Sequence, residues 1–344
     1  MKKRKRFVLL MVIFSLMLTT FSFYFYQLFF GANVLTESEA RTILIDEDDN
    51  FDSLRNYLYD TRVIEDALSF SFVAKILKYP KLIKPGVYRL DAQMNNLDAI
   101  RRLRAGEQVP VDITFNNVRL KEELAEKITA TIGMEQKEFF DLLNDISFLE
   151  EYGFTADNVM TMFIPNTYEV YWTITPEDLF ERMNREFKGF WTDEKIQKAE
   201  SIGLTPKEAS ILASIVQAES IMSEEKPTIA GLYINRLERN IPLQADPTVK
   251  YALGDFALQR ILTADTKVDS PYNTYKYKGL PPGPINLPTI SSLNSVLNFE
   301  EHSYLYMCAK EDFSGYHRFA RTLAEHNRNA RLFQQALNRR RIYR

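Results

Sequence analysis

The hydrophobic pattern divides the chain into a long apolar stretch with no charged positions and a longer part where polar and apolar residues alternate in short periods. FVLLMVIFSLMLTTFSFYFYQLFF, residues 7–30, carries no charge, and as a helix its 24 residues extend about 36 Å, enough to cross a hydrocarbon layer of about 30 Å. After it, a strand, a polar turn and an amphipathic helix recur three times. TILIDEDDNFDSLRNYLYDTRVI places Leu54, Tyr57 and Leu58 on the helix. GVYRLDAQMNNLDAIRRLRAG has a strand over Val87–Leu90, a helix with Leu97, Ile100 and Leu103, and a stop at Gly106. VPVDITFNNVRLKEELAEKITATIG aligns Leu120, Leu124 and Ile128. Residues 135–200 read as mostly helical, interrupted where Tyr168, Val170 and Trp172 alternate as in a strand. Thr175-Pro176 and Thr205-Pro206-Lys207-Glu208 each combine an N-cap threonine with proline at the first helical position, and the second adds the glutamate of a capping box. The helix that begins at Pro206 carries Leu212, Ile215 and Val216 on one face, and Glu219 falls on that same face. From residue 201 onward, QADPTVKYALG, SPYNTYKYKGLPPGPINLP and YHRFARTLAEHN read as loops of the kind that line sites, and the chain ends in a basic helix suited to surface packing.

Charge assigns the first segment. Five basic residues, KKRKR, follow Met1. A signal peptide is the competing reading, but its apolar region spans about 7–15 residues and needs a small-x-small cleavage site, which GANVLTESEA lacks. An uncleaved anchor is therefore expected, with residues 1–6 in the cytoplasm, everything after residue 30 outside, and Phe23, Tyr24, Phe25, Tyr26, Phe29 and Phe30 in the outer interface. The remainder is ordinary for a globular protein at 45% apolar and 26% charged residues, and a formal charge of -3 gives no nucleic-acid signature. Cys308 stands alone, which excludes an internal disulfide and a cysteine-based zinc cluster; it reads as a small buried hydrophobe. His302, His317 and His326 form no HExxH pattern, so no metal or cofactor is expected, and they read as surface or satisfied core residues.

Glu219 is the candidate for chemistry. No residue three or four positions away neutralises it, and burial without a cation raises a carboxyl pKa, the condition a general acid needs near neutral pH. A distant Arg or Lys partner, or a side chain turned to solvent, is the plainer alternative. The loops weigh against it. Tyr251, Tyr272, Tyr275 and Tyr277 offer flat faces with hydroxyl tips, and Gln244, Asn273 and Asn286 offer amides; this pairing suits a sugar, whose C–H faces stack while hydroxyl and acetamido groups take hydrogen bonds. GLPPGP, residues 279–284, is stiff enough to hold a cleft wall. Each tyrosine taken singly also fits core packing.

SILASIVQAES, INRL, LQADPTVKYALG, SPYNTYKYKGLPPGPI and HRF…EHN, in this order, resemble the endolytic murein transglycosylases of bacteria, the MltG/YceG-like family. The anchor and PNTYEVYW fit the same family. The resemblance implies an α+β chain: a cytoplasmic tail over 1–6, a transmembrane helix over 7–30, a stalk over 31–43, a small LysM-like βα module over 44–110, a connecting α+β region over 111–200, and a mixed α/β catalytic region over 201–344. It implies that Glu219 is the catalytic acid and that Gln244, Asp246, Tyr272, Asn273 and Glu325 match motifs around the cleft; Tyr251, Tyr275 and Asn286 join them as substrate-binding candidates. The implied reaction cleaves the β-1,4 bond between N-acetylmuramic acid and N-acetylglucosamine within peptidoglycan strands, leaves a 1,6-anhydro end and terminates strand growth. The implied setting is the bacterial cytoplasmic membrane with the catalytic region outside, and the implied partners are glycan strands and cell-wall synthases. Two departures stand out. Gln217 replaces a frequent glutamate and points about 160° from Glu219, so it is expected to matter little to the chemistry. NLP replaces NPG after the proline-rich loop and leaves the local turn open.

One carboxyl suffices for this reaction, because an intramolecular hydroxyl replaces water. A hydrolytic muramidase would need a second carboxylate, and Asp246 is the candidate. A membrane-anchored wall-binding scaffold without activity is the reading from another class.

Overall fold

The computed structural model describes residues 2–35, 39–258 and 260–340. It is a mixed helix-and-sheet chain that separates into two compact units. Unit 1 comprises residues 1–112, 131–134 and 169–174, and unit 2 comprises 113–130, 135–168 and 175–344.

Unit 1 begins with α1 (Lys2–Phe30), whose stretch Arg4–Phe30 is long and apolar enough to cross a membrane. Then follow β1 (Ala32–Val34), β2 (Arg41–Ile45), α2 (Phe51–Asp60), α3 (Ala67–Ile76), β3 (Gly86–Leu90), β4 (Met94–Asn95) and α4 (Asn96–Ala105). The first two strand–helix repeats pair with each other: β2 runs antiparallel to β3 with Ile43 opposite Tyr88. Their inward residues meet Leu54, Leu58, Ile100 and Leu103 in one core. α3 was not legible in the sequence: it buries one face, Ser69, Phe70, Val73 and Ala74, but exposed Leu68, Phe72 and Ile76 are apolar too, so the polar contrast of an amphipathic helix is missing. The stalk expected over 31–43 needs correction. β1 pairs with β4, Val34 and Leu35 are fully buried, and Asn33 donates to Asn96 Oδ1 at 2.7 Å. An apolar pair with a satisfied polar neighbour is core, not tether. Residues 36–38 of that stretch lie outside the described residues.

β5 (Val111–Phe115) pairs with β6 (Asn166–Val170), and the third repeat closes with α5 (Lys121–Thr129). Tyr168 and Val170 point inward from β6, while Trp172 is buried just beyond it. Unit 2 continues with α6 (Gln136–Leu142), α7 (Ile146–Glu151), α8 (Pro176–Phe190), α9 (Asp193–Ser201), α10 (Pro206–Glu219), α11 (Lys226–Glu238), α12 (Asp246–Leu253) and α13 (Ile290–Leu297). It ends with β7 (Tyr306–Ala309), β8 (His317–Ala320) and α14 (Leu323–Arg339). α10 is the pivot. All eight residues from Ala209 to Val216 are buried, so this helix is wrapped by α9, α11, α12 and α13, not sided by one stripe. Trp191 and Ala199 share its core with Leu212, Ile229 and Leu293, so no break falls at residue 200. The 316–327 stretch read as a loop instead supplies β8, antiparallel to β7 with Ala309 opposite His317.

Candidate active site

α10 starts on the expected capping box. Thr205 Oγ1 accepts from the Glu208 amide at 3.3 Å, and the Glu208 carboxylate accepts from the Thr205 amide at 2.8 Å. With its start so fixed and its sides buried, the helix delivers Glu219 as its last residue. The side chain is half-buried at a cavity of about 340 Å³. Tyr233 of α11, itself 2% exposed, donates its hydroxyl to Glu219 Oε1 at 2.7 Å. Among the described residues Glu219 makes no ion pair.

Burial pushes the Glu219 carboxyl up to about 7; the Tyr233 hydrogen bond opposes this, the Asp246 charge adds to it, and Lys250 and Arg236 oppose it. The carboxyl also sits at a helix C-terminus whose last turn has no basic residue, where the helix dipole further disfavours an anion. Its neighbour pushes the other way: burial and the adjacent carboxyl hold the Tyr233 hydroxyl well above the ordinary tyrosine range. Tyr233 thus stays a donor at any working pH.

Opposite Glu219, the segment 243–246 forms a wall. Gln244 sits at φ +53°, a left-handed conformation uncommon for residues with a Cβ. Its amide donates to Thr274 O at 3.0 Å, and the next amide, Ala245, donates to Thr274 Oγ1 at 3.0 Å, which holds the strained segment against the 270–277 loop. That loop returns Tyr275, whose hydroxyl donates to Asp246 Oδ1 at 2.5 Å. Gln244, Asp246 and Tyr275 therefore join Glu219 in one cavity.

The other expected residues lie elsewhere. Asn273 is fully buried; its Nδ2 donates to Thr266 O and Val268 O, and its Oδ1 accepts from the Tyr275 amide, so it shapes the loop that presents Tyr275. Asn286 is buried too, donating to Ser214 O at 2.8 Å and accepting from Gln217. Glu325 sits in the first turn of α14, which Thr322 caps, and accepts from the Arg321 amide at 2.9 Å. Tyr251 and Tyr272 meet with rings tilted at 44° and centroids 4.7 Å apart, and both pack against the core; Tyr277 is exposed and donates to Asp269.

Several lining residues escaped the sequence reading. Arg236, 5% exposed, donates from Nε to Leu305 O at 2.6 Å and from Nη1 to Leu243 O at 2.7 Å and Gln244 Oε1 at 3.3 Å. It ties the Gln244 wall to the chain entering β7. His317 and His326, read from sequence as surface or satisfied core residues, both line the cavity. His317 is held by Glu225, its amide to Oε1 at 2.7 Å and its Nδ1 to Oε2 at 2.9 Å. His326 stacks on Tyr306 at 5.5 Å with a buried Nδ1 that has no partner; burial and the nearby Arg236 hold its pKa below the usual imidazole range. Cys308, expected as buried, is half-exposed on the same wall. INRL and HRF…EHN held Arg236, His317 and His326, which the fold brings from α11, β8 and α14 to one cavity with Glu219. No group of three or more potential metal ligands occurs among the described residues.

The YceG-like family matches residues 43–332. Two relatives called endolytic murein transglycosylase are that of Streptococcus pneumoniae serotype 2 strain D39, 26% identical over 94% of this chain and 64% of its own length, and that of Bacillus subtilis strain 168, 28% identical over 87% and 88% respectively. The chain therefore spans under two thirds of the streptococcal relative. A crystal structure of a yceG-like protein from Listeria monocytogenes, 27% identical, superposes with a TM-score of 0.56, covering 84% of this chain and 98% of the other.

Proposed function

This chain belongs to the YceG-like family, and from that membership we propose that it is an endolytic murein transglycosylase acting on peptidoglycan strands outside the cytoplasmic membrane. The observation that carries the reading is Glu219: a carboxyl pushed up to about 7, facing a cavity, with a tyrosine donor and no cation bound to it. Protonated, it gives its proton to the glycosidic oxygen as the bond from muramic C1 breaks. The muramic 6-hydroxyl closes on C1, and its proton passes to the Glu219 carboxylate, which restores the acid. No water enters, and the product carries a 1,6-anhydro ring. Tyr275 and Gln244 are disposed to bear on the oxocarbenium-like centre or the acetamido group from the opposite wall.

Asp246 lends support to a second reading, hydrolysis, since it is a second carboxylate at the same cavity. Its Oδ1 is taken by Tyr275, which favours a role in orienting that tyrosine. Mass spectrometry of products from purified strands separates the two, because hydrolysis adds water and transglycosylation does not. Glu219→Gln abolishes cleavage, by at least about 10³-fold, while strand binding persists; retained cleavage in that variant overturns the reading.

The finer setting completes the proposal. α1 anchors the chain with its basic start inside, residues 44–110 form a LysM-like module facing the wall, and cell-wall synthases are partners that supply the nascent strands.

A further inference from the structure

A second cavity, of about 470 Å³, lies against the same two helix ends as the Glu219 site. Glu219 and Asp246 face the first cavity, while their neighbours Gln217, Ala218, Ser220, Pro247 and Lys250 face the second. Three cations line it: Arg119, Lys226 and Lys250, with no carboxylate among the lining residues. Lys226 is 7% exposed, and its hydrogen bond is to a neutral group, Ser292 Oγ at 3.1 Å. Among the described residues none of the three forms an ion pair. A buried ammonium normally has a counter-charge, since desolvating it costs several kcal/mol; burial accordingly holds the Lys226 pKa below its usual range. The Arg119 guanidinium lies 4.9 Å from the Phe256 ring centroid, beside Tyr251, which gives the cationic floor a flat apolar wall. The carboxylates acting on this wall, Glu122 and Asp157, bear on Tyr251 through space.

Resting on the transglycosylase reading, we propose that this second cavity is a subsite for a carboxylate carried on the muramic residue at the cleaved bond. Muramic acid bears a lactyl ether that ends either in a free carboxylate, in stem-free strands, or in a short peptide with carboxylates of its own. Either chemistry supplies what Lys226 lacks, and the apolar wall accepts the lactyl methyl or an alanyl side chain. The subsite lies one or two residues along the chain from Glu219, so binding there would fix which glycosidic oxygen meets the acid.

The test compares kcat/KM on two substrates: uncrosslinked strands with stems, and the same strands stripped by an amidase. Arg119→Gln is exposed and leaves the core intact; Lys226→Met removes the buried charge. If the subsite reads the stem, the stem-bearing to stem-free ratio falls about tenfold in both variants through KM, and Arg119→Lys restores it in part. If it reads the free lactyl carboxylate, the ratio rises by a similar factor. An unchanged ratio in Arg119→Gln and Lys226→Met overturns the inference. Should Lys226→Met fail to fold, Arg119→Gln with a double Arg119→Gln, Lys250→Met decides the question. A wild type that cleaves neither substrate defeats the transglycosylase reading itself, a separate result.

Discussion

The Glu219 carboxyl depends on opposing influences, of which burial is the largest. Burial and Asp246 favour its proton; the Tyr233 hydroxyl, the strongest opposing influence, favours its anion. A general acid needs both, because it must hold a proton before cleavage and tolerate the negative charge just after it. With a pKa near 7, the protonated fraction falls as pH rises through that value, so kcat/KM should decline on the alkaline side with a midpoint near pH 7. Tyr233→Phe removes the hydrogen bond that lowers the pKa. The alkaline midpoint should then move upward by about one unit, the equivalent of about 1.4 kcal/mol, while the maximal rate drops because the nascent carboxylate loses its donor. A pH–rate profile of the variant checks both, and a midpoint that moves downward or stays fixed assigns the shift to something other than this bond.

At the scale of elements, α10 shows which parts of the site are legible in sequence. Its start was readable, because a capping box spans four residues and is satisfied locally. Glu219 was readable too, since an acid on an apolar face needs only the helical period to be noticed. Gln217, expected to matter little to the chemistry, has a structural role that was not legible. Turned away from the chemistry, it donates to Asn286 Oδ1 and Leu287 O, both at 3.1 Å, and accepts from the Thr289 amide at 2.6 Å and Ser292 Oγ at 3.0 Å. Those partners lie 69 to 75 residues along the chain, beyond any local pattern. The same bonds account for NLP: Leu287 is fully buried, its amide donates to Val118 O, and Thr289 caps α13. His317 and Tyr306 were missed for the same reason: Glu225, 92 residues away, holds His317, and Tyr306 meets Arg236 of α11 as well as His326 of α14. Gln217→Leu leaves Asn286 Oδ1, the Leu287 carbonyl and the Thr289 amide without this partner and should cost about 1–3 kcal/mol. Thermal melts measure it, and a variant as stable as wild type refutes the structural role assigned to Gln217.

The whole molecule carries its anchor as part of a fold. α1 reaches into unit 1: Asn96 Nδ2 donates to Leu28 O at 3.0 Å, and Phe25 and Phe29 meet Phe72 edge-on at 6.0 and 6.5 Å. The polarity pattern revealed a long apolar helix, but its uniform greasiness concealed that the last turn serves two roles. Truncation can separate them. A fragment beginning at residue 25 keeps the Leu28 carbonyl and both rings yet is too short to span a membrane; one beginning at residue 31 loses all three. Both should leave lipid vesicles in a flotation assay, and both should cleave strands, because every residue of the Glu219 cavity belongs to unit 2, which has its own core. They should differ in unit 1. Losing one hydrogen bond and two partly buried rings should lower its local stability by about 2–4 kcal/mol, read as faster amide exchange in α3 and α4 of the shorter fragment alone. Equal exchange in the two would mean that α1 contributes only the membrane span, and that β1 and Leu35 suffice to close the module.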